Sequence, residues 1–187
     1  MKDAWILTYS KMKFNVFYPR PEDVNIKDIA HGLSHICRFS GQSKFFFSVA
    51  QHSLNAMRYA RRYGYSPEMQ LYCLLHDAAE TYISDVPAPI KEHLPEFNTI
   101  EKNIMEAVHT AFNLPQPGEI EQKIMDKIDK IMLVTEARIL LHGTKGWGEE
   151  INSIGVDERT AIREISIKQI RNRFLYEFLN IYESIKQ

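Results

Sequence analysis

Most of the chain repeats its hydrophobic residues with the period of an α-helix. Apolar positions recur at spacings of three and four residues, which places them along one face of a helix that packs on a core. Glycine or proline residues interrupt the pattern between these stretches, as they do where helices stop. The stretches with helical periodicity are 26–39, 44–63, 71–85, 97–112, 119–142 and 160–185. The pattern therefore predicts an all-α fold, with a core over 26–142 and a closing helix over 160–185.

Local signals predict where two of these helices begin. Ser43 is the expected N-cap of the helix over 44–63. Ser66 suits the N-cap position before the central stretch 71–85, and Pro67 suits the first helical position, where its missing N–H costs nothing. The central stretch is thus expected to be one helix that continues past residue 80.

Only residues 5–18 have the character of β-strands. The segments 5–9 and 14–18 are rich in β-branched and aromatic residues, and a short polar link separates them. Such residues favour strands, so we predict a small N-terminal β-hairpin. The two prolines within 19–23 then predict a turn that leads into the helical part of the chain.

Length and charge narrow the class of protein. The 187 residues suffice for a single domain over 1–187 with a substantial core. A net charge of −1 argues against a dedicated surface for nucleic acid or for an anionic membrane. No apolar run approaches the roughly 18 residues of a membrane span, and the N-terminus lacks the apolar region of a signal peptide. Cys37 and Cys73 lie in apolar helical patterns, as buried thiols in a reducing compartment do. We expect a cytoplasmic protein.

The central stretch carries the first chemical signal, because His76 and Asp77 stand side by side within an apolar helical stripe. A histidine and a carboxylate on a mostly buried helix are costly unless something pairs with them. Glu80 lies one turn beyond both, so the three side chains are expected to project toward a common region. Imidazole and carboxylate are good ligands for Zn, Mn, Fe or Co, and a divalent metal would satisfy them. The alternative is a core histidine bonded to its neighbour's carboxylate.

Two further polar residues interrupt apolar helical faces, His52 on the second predicted helix and Asp129 on the fifth. A carboxylate on a buried face is costly unless it is paired or binds a metal. His52 has the alternative of a satisfied core histidine, and Asp129 that of a half-exposed salt-bridge partner. Asp126 competes with Asp129 for the same role. Spacing does not choose between the two aspartates, although Asp126 falls beside Lys123 and Lys130 on the side expected to face solvent.

The order of a lone His52, a His76-Asp77 doublet and a distal Asp129, all on separate helices, resembles the HD-domain metal-dependent phosphohydrolases. The likeness extends to further segments in the same order: DIAHGLS at 28–34, ICRF at 36–39, SVAQHS at 48–53, LHDAAE at 75–80, DVPAPIK at 85–91, and the segment from Asp129 through Thr135-Glu136. These segments resemble a branch of the family that is similar to the helical 5′-deoxynucleotidases and to phage-type deoxynucleoside triphosphate hydrolases. The resemblance covers about residues 5–145, and it departs at Gln42, where many relatives are expected to carry His.

The resemblance implies an HD-domain helical bundle with the metal ligands His52, His76, Asp77 and Asp129. These residues would hold one divalent metal ion (Mn, Co, Zn, Fe or Mg) and leave positions for water and a phosphate oxygen. A metal lowers the pKa of its bound water and neutralises charge on a phosphoryl group. We therefore expect a metal-bound hydroxide to attack phosphorus and cleave a phosphoester or phosphoanhydride of a small-molecule nucleotide. The expected substrate is a deoxynucleoside 5′-monophosphate or a deoxynucleoside triphosphate.

Two carboxylates are predicted to act in catalysis. Glu80 is expected to transfer a proton or orient water, because it lies one turn from the predicted ligands without belonging to the doublet. Its alternative is an ordinary surface glutamate that pairs with a lysine. Asp85 precedes the proline-rich turn and is expected to orient the leaving group or a sugar hydroxyl. Its alternative is to cap the short helix that begins near Pro87.

Four residues are predicted to contact the substrate: Arg38, Phe39, Lys91 and Trp147. Arg38 would make a bidentate phosphate contact, as the resemblance to the deoxynucleotidases implies, or else an ion pair with Asp28 or Glu22. Phe39 would stack on the base or fill the core. Lys91 would make a second phosphate contact or lie on a solvated face. Trp147, in a glycine-rich loop, would cover the base or pack on the domain.

Two other functions compete with nucleotide hydrolysis. An HD phosphodiesterase or alarmone pyrophosphohydrolase usually carries longer basic segments or partner domains, and the chain shows neither. A non-catalytic nucleotide sensor would tolerate the loss of Glu80 and Asp85, and both are present. The charge balance disfavours a nucleic-acid partner. On family grounds alone, we expect a homo-oligomer, a dimer or higher.

Overall fold

The computed structural model describes residues 4–186, so residues 1–3 and 187 of the predicted domain lie outside the described part. Within that part, helices dominate and one two-stranded antiparallel sheet stands at the N-terminal end. The all-α class with a small N-terminal hairpin is thereby confirmed. Within residues 4–186, no helix combines the length and the apolar character needed to cross a membrane.

The hairpin consists of β1 (Trp5–Leu7) and β2 (Lys13–Asn15), which pair with Ile6 opposite Phe14. Phe14 is fully buried, and its ring stacks on Tyr82 with the centroids 3.7 Å apart. Both strands are shorter than predicted: residues 8–12 form the connecting turn, and bends over 16–18 end the second strand at Asn15, whose side chain accepts hydrogen bonds from the backbone N–H groups of Phe17 and Tyr18. Stacking on Tyr82 fixes the hairpin against the helical body.

The helices are α1 (Ile26–His35), α2 (Val49–Arg62), α3 (Pro67–Leu75), α4 (Glu80–Ile83), α5 (Ala88–Lys91), α6 (Pro95–Ala111), α7 (Glu119–Leu140), α8 (Glu149–Ser153) and α9 (Ile167–Ile185). Helix α2 lies at the centre and packs on α1, α3, α7 and α9. Its apolar side chains, with those of α3 and α9, form one continuous core. Burial of each large apolar side chain stabilises the fold by about 1.5–3 kcal/mol.

Two predicted helix starts are wrong. Helix α2 begins after Ser48 rather than Ser43, because Ser48 and Gln51 form a reciprocal capping box that satisfies two backbone N–H groups. Ser166 and Gln169 form the same box at the start of α9, seven residues after the predicted start at 160. The predicted helix over 26–39 also ends early, at residue 35. The chain over 36–48 forms turns and a short bridge instead.

The central stretch is not one helix. Helix α3 ends at Leu75, and residues 76–79 form turns before α4 begins at Glu80. The backbone bonds here span three residues, as in Ala78 N–H to the Leu75 carbonyl (2.8 Å) and Glu80 N–H to the Asp77 carbonyl (3.0 Å). The His-Asp doublet therefore lies at the carboxyl end of a helix and not in its middle.

The cysteines differ from each other in their surroundings. Cys73 is buried in α3 as predicted, and burial raises the pKa of its thiol to about 12. Cys37 lies beyond the end of α1 and is half-buried, so the predicted helical setting is wrong for this residue. Both thiols are free.

Close packing fixes α4 against α1. Gly32 of α1 has no room for a side chain, since a Cβ at this position would lie 2.7 Å from the Thr81 methyl group. Thr81 also donates a hydrogen bond to the Ile29 carbonyl at 3.2 Å. The close approach at Gly32 therefore sets the position of Glu80, the first residue of α4.

Candidate metal centre

Three helices bring His52, His76 and Asp129 together. His52 projects from α2, His76 follows the last residue of α3, and Asp129 projects from α7. The Nε2 atom of His52 lies 2.9 Å from Asp129 Oδ1 and 3.1 Å from His76 Nε2. One donor atom from each residue lies within 4.8 Å of the others, a grouping that could hold a metal ion.

Asp77 completes the predicted set. Its Oδ2 atom lies 3.2 Å from His76 Nε2 and 3.8 Å from His52 Nε2. Asp126, the competing aspartate of α7, is exposed and accepts a hydrogen bond from Gln122 at 2.8 Å. The structure thus places Asp129 and not Asp126 at the histidines.

The Nδ1 atoms of both histidines are engaged away from the centre. His52 Nδ1 lies 3.0 Å from a carboxylate oxygen of Glu136, and His76 Nδ1 lies 2.9 Å from the Cys73 carbonyl oxygen. That carbonyl belongs to the last turn of α3, where carbonyls lack intrahelical partners. In the neutral form of each ring, these acceptors hold the proton on Nδ1, so the two Nε2 atoms are left to bind a metal. A cation between them fits this arrangement, and imidazole with carboxylate suits Mn, Fe, Co or Zn.

The electrostatic field at the centre also favours positive charge. Burial and the Arg38 charge oppose protonation of His52, but Glu136 and Asp129 outweigh them and raise its pKa to about 10. Burial works against ionisation of Asp129, yet the hydrogen bond and charge of His52 hold the pKa of this carboxyl well below its usual range. An anionic donor set of this kind suits a divalent cation.

Arg38 is buried beside the centre rather than paired with Asp28 or Glu22. Its Nε atom lies 3.1 Å from a carboxylate oxygen of Glu136, and one terminal nitrogen lies 3.7 Å from Asp77 Oδ2. Burial disfavours the charged guanidinium, but Glu136 and Asp77 raise its pKa above the ordinary value. Arg38 therefore supplies a fixed positive charge next to the candidate ligands.

Glu80 is not a surface residue. It is 4% exposed, and its Oε2 atom is buried without a hydrogen-bond partner. Burial, followed by the charges of Asp77 and Asp85, raises the pKa of Glu80 well above its ordinary value. Lys91 lies 3.9 Å from Oε1 of Glu80 and 2.6 Å from Glu101 of α6. Lys91 is thus tied to two carboxylates and is not on a freely solvated face.

Asp85 is half-buried and does not cap a helix. Burial raises the pKa of its carboxyl, the positive charges of Arg38 and Lys91 lower it, and the negative charge of Asp77 raises it. Helix α5 has Pro87 at its N-cap position and no side-chain cap. The capping alternative for Asp85 is therefore not observed.

The two aromatic candidates lie in different settings. The Phe39 ring is 5.3 Å from the Arg38 guanidinium carbon, and Phe39 and Ser40 both adopt positive φ angles, 55° and 50°. Trp147 is 39% exposed and donates its backbone N–H to Thr144. Among the contacts of residues 4–186, none joins Trp147 to the metal ligands. The structure brings Phe39 to the centre's edge and leaves Trp147 on the surface.

The sequence prediction missed two carboxylates that the structure places at the site, Glu136 and Glu101. Glu136 is fully buried on α7, two turns after Asp129, and its partners are His52 and Arg38. An isolated glutamate in the apolar run IMLVTEARIL was the available signal. Glu101 gives no such signal, because α6 carries many charged residues.

A cleft lies elsewhere on the protein, and it is not the predicted site. It has a volume of about 610 Å³ between α2, α7 and the segment 150–157, and Tyr59, Tyr63 and Lys127 contribute to its walls. The residues that line it include neither the candidate ligands nor Glu80 or Arg38. The cleft therefore does not coincide with the cluster of candidate ligands.

The chain belongs to the HD-domain family. The family model, described as HD domain, matches residues 49–152, which is more than half of the chain. The matched range contains His52, His76, Asp77 and Asp129. Membership of this family implies metal-dependent phosphohydrolase activity in general, which agrees with the donor set at the centre.

Two curated proteins are similar over most of their length. The uncharacterized protein YfdR of Escherichia coli is 36% identical over 137 residues, which cover 73% of this chain and 72% of YfdR. An uncharacterized protein of Rhodobacter capsulatus is 34% identical over 131 residues, covering 66% of this chain and 67% of the relative. These likenesses support the family and name no substrate.

Proposed function

We propose that this protein hydrolyses a phosphoester or phosphoanhydride bond of nucleotides, with deoxynucleoside 5′-monophosphates or deoxynucleoside triphosphates as substrates. The observation that carries the proposal is that the Nε2 atoms of His52 and His76 converge with Asp129 beside the buried Arg38. A fixed arginine side chain next to a metal site favours phosphate hydrolysis, because the phosphate can then bind to the metal and to the guanidinium.

His52, His76, Asp77 and Asp129 would hold the divalent metal. When bound, such an ion lowers the pKa of water and neutralises charge on a phosphoryl group. The chain's own residues then decide where the phosphate lies. Arg38 has one nitrogen near Asp77, so its guanidinium borders the ligand set and can donate to phosphate oxygens.

Glu80, Lys91 and Asp85 occupy the side of the centre next to α4 and α5. We assign Glu80 a role in proton transfer or in orienting water, because its buried carboxyl is held close to Asp77 by the turn that joins them. Lys91 is assigned a phosphate contact and Asp85 the orientation of a leaving group or sugar hydroxyl. Phe39 is assigned the stacking contact with the base, while the exposed Trp147 remains a weaker candidate for the same role.

The test is a product assay of the purified protein with deoxy- and ribonucleoside mono- and triphosphates, each with Mn, Co, Mg or Zn. Chromatography separates the nucleoside from inorganic phosphate, diphosphate and triphosphate products. Nucleoside and phosphate from a monophosphate support a 5′-nucleotidase, and nucleoside with intact triphosphate supports a triphosphohydrolase. An Asp129→Asn variant is the control and should be inactive. No turnover with any nucleotide overturns the proposal and favours an alarmone, cyclic-nucleotide or sensor function.

A further inference from the structure

We infer that Glu136 is a positioning residue that orients His52 toward the metal and Arg38 toward the substrate phosphate. The inference rests on the proposed function, because it assigns a task within the same site. Glu136 is not itself a candidate metal ligand, because it contacts Nδ1 of His52, whereas the other candidate ligands lie at Nε2.

One carboxylate joins two arms of the site. The Oε2 atom of Glu136 lies 3.0 Å from His52 Nδ1 and 3.1 Å from Arg38 Nε. His52 comes from α2, whereas Arg38 comes from the turn after α1. Glu136 therefore links α2 and the turn after α1 to α7.

The contact with Glu136 also selects the tautomer of the His52 imidazole. In the neutral ring, a carboxylate at Nδ1 holds the proton on that nitrogen and leaves Nε2 to bind a metal on the side of His76 and Asp129. It also makes Nε2 a stronger donor to a metal, which is the general effect of a carboxylate behind a metal-binding histidine. The Nε2-protonated tautomer would leave the buried Glu136 carboxylate without this donor, at a considerable cost.

Glu136 also restrains the Arg38 guanidinium through its charge. Arg38 is 8% exposed, so it can adopt few orientations, and its Nε atom lies 3.1 Å from Glu136 as an ion pair without a hydrogen bond. The fork of terminal nitrogens then remains for other partners, and one of them lies 3.7 Å from Asp77. A bidentate phosphate contact uses that type of fork. The charge of Glu136 therefore holds the guanidinium beside the candidate ligands, with its fork on the side of Asp77.

The experiment compares Glu136→Gln with Arg38→Gln by Mn²⁺ titration, in which the EPR signal of the free ion reports binding. We expect Glu136→Gln to weaken Mn²⁺ affinity by about 10- to 100-fold. Arg38→Gln removes the same buried ion pair but leaves the bond to His52 in place. It also removes a positive charge next to Asp77, so its Mn²⁺ affinity should equal or exceed that of the wild type. The effect of Arg38→Gln should appear instead as a raised KM for the nucleotide.

A merely structural role for Glu136, as the counterion of buried Arg38, would weaken Mn²⁺ binding equally in both variants, and that result would overturn the inference. Unchanged Mn²⁺ affinity in Glu136→Gln would overturn it as well and would leave the proposed function intact. A wild-type protein that binds no Mn²⁺ and hydrolyses no nucleotide overturns both proposals, so the two failures are distinguishable.

Glu136→Gln leaves a buried arginine without its partner, which can unfold the variant and prevent a titration. Two measurements cover that case. Glu136→Asp keeps the charge and should give an intermediate Mn²⁺ affinity, since the shorter side chain lengthens the bond to His52. In the zinc-loaded wild type, ¹⁵N NMR of the histidine rings should show His52 protonated at Nδ1, and protonation at Nε2 would contradict the inference.

Discussion

The Nε2 atom of His52 lies 3.1 Å from His76 Nε2 and 2.9 Å from Asp129 Oδ1. Burial opposes protonation of His52, but Glu136 and Asp129 raise its pKa, so without a metal its Nε2 atom can hold a proton and donate it to Asp129. A divalent cation would replace that proton and bind both Nε2 atoms and the carboxylate, and the unfolded chain has no such site to offer.

Metal should therefore stabilise the fold measurably. A ligand that binds only the native state at about 100 times its Kd adds about 2.7 kcal/mol to the free energy of unfolding. For a domain of this size, that corresponds to a rise in Tm of about 5–10 °C. Thermal unfolding followed by circular dichroism, with excess Mn²⁺ and with a chelator, measures the difference. The Asp129→Asn variant should lose most of the response, and a wild type with the same Tm in both conditions would contradict the metal site.

Glu80→Gln should retain metal and lose turnover. Removal of a positioned proton-transfer group costs about 10²- to 10⁴-fold in rate, and the amide preserves the shape of a side chain that is 4% exposed. Steady-state kinetics alongside metal analysis of the purified variant tests this. Glu92→Gln, at an exposed position, is the matched control and should behave as wild type. Loss of bound metal from Glu80→Gln would instead make Glu80 a metal ligand.

Lys91→Met should weaken substrate binding more than it slows the chemical step. A hydrogen bond to a charged group contributes about 1.5–3 kcal/mol, so KM should rise by about 10- to 100-fold. The control is Lys102→Met on α6, because Lys102 is highly exposed and its carboxylate partner is 3.9 Å away. An unchanged KM in Lys91→Met would assign Lys91 only to holding Glu101, from which it lies 2.6 Å.

The stability of the fold should fall as the pH drops below about 6.5, in part through His109. Burial lowers the pKa of His109 from its ordinary value of 6.5, although a hydrogen bond with Gln116 at 2.8 Å partly opposes this. Because the unfolded state binds the proton more readily, the contribution of His109 is complete above pH 6.5 and is lost as the pH falls through the native pKa. Urea unfolding between pH 5 and 7.5 should show a shallower pH dependence in His109→Gln than in the wild type. An equal pH dependence of the free energy of unfolding in the two proteins would show that His109 does not contribute to it.

The grouping of His52, His76 and Asp129 could be predicted because these residues are chemically out of place in their local pattern. His52, His76 and Asp129 each interrupt an apolar helical face, and their order along the chain matched a known family. The choice between Asp129 and Asp126 needed that family pattern, since both lie on α7 one turn apart. Only the packing of α7 against α2 shows which of the two faces the histidines.

The helix boundaries near the site were less predictable, because similar signals recur. Ser43 and Ser48 are both plausible caps, and the capping box with Gln51 decides in favour of Ser48. No glycine or proline marks the end of α3 at residue 75, so the turns over 76–79 could not be read from the sequence. Glu136 was missed because its pairing with Arg38 joins residues nearly a hundred positions apart.

The backbone beside Arg38 has a consequence for the evolution of this protein. Phe39 and Ser40 hold left-handed conformations that cost non-glycine residues roughly 1 kcal/mol or more each. Glycine at position 40 would relieve that cost but would also let the loop sample more conformations and release the arginine from its fixed approach. A selection experiment for thermal resistance alone should therefore accumulate glycine here, while one that also demands turnover should retain serine.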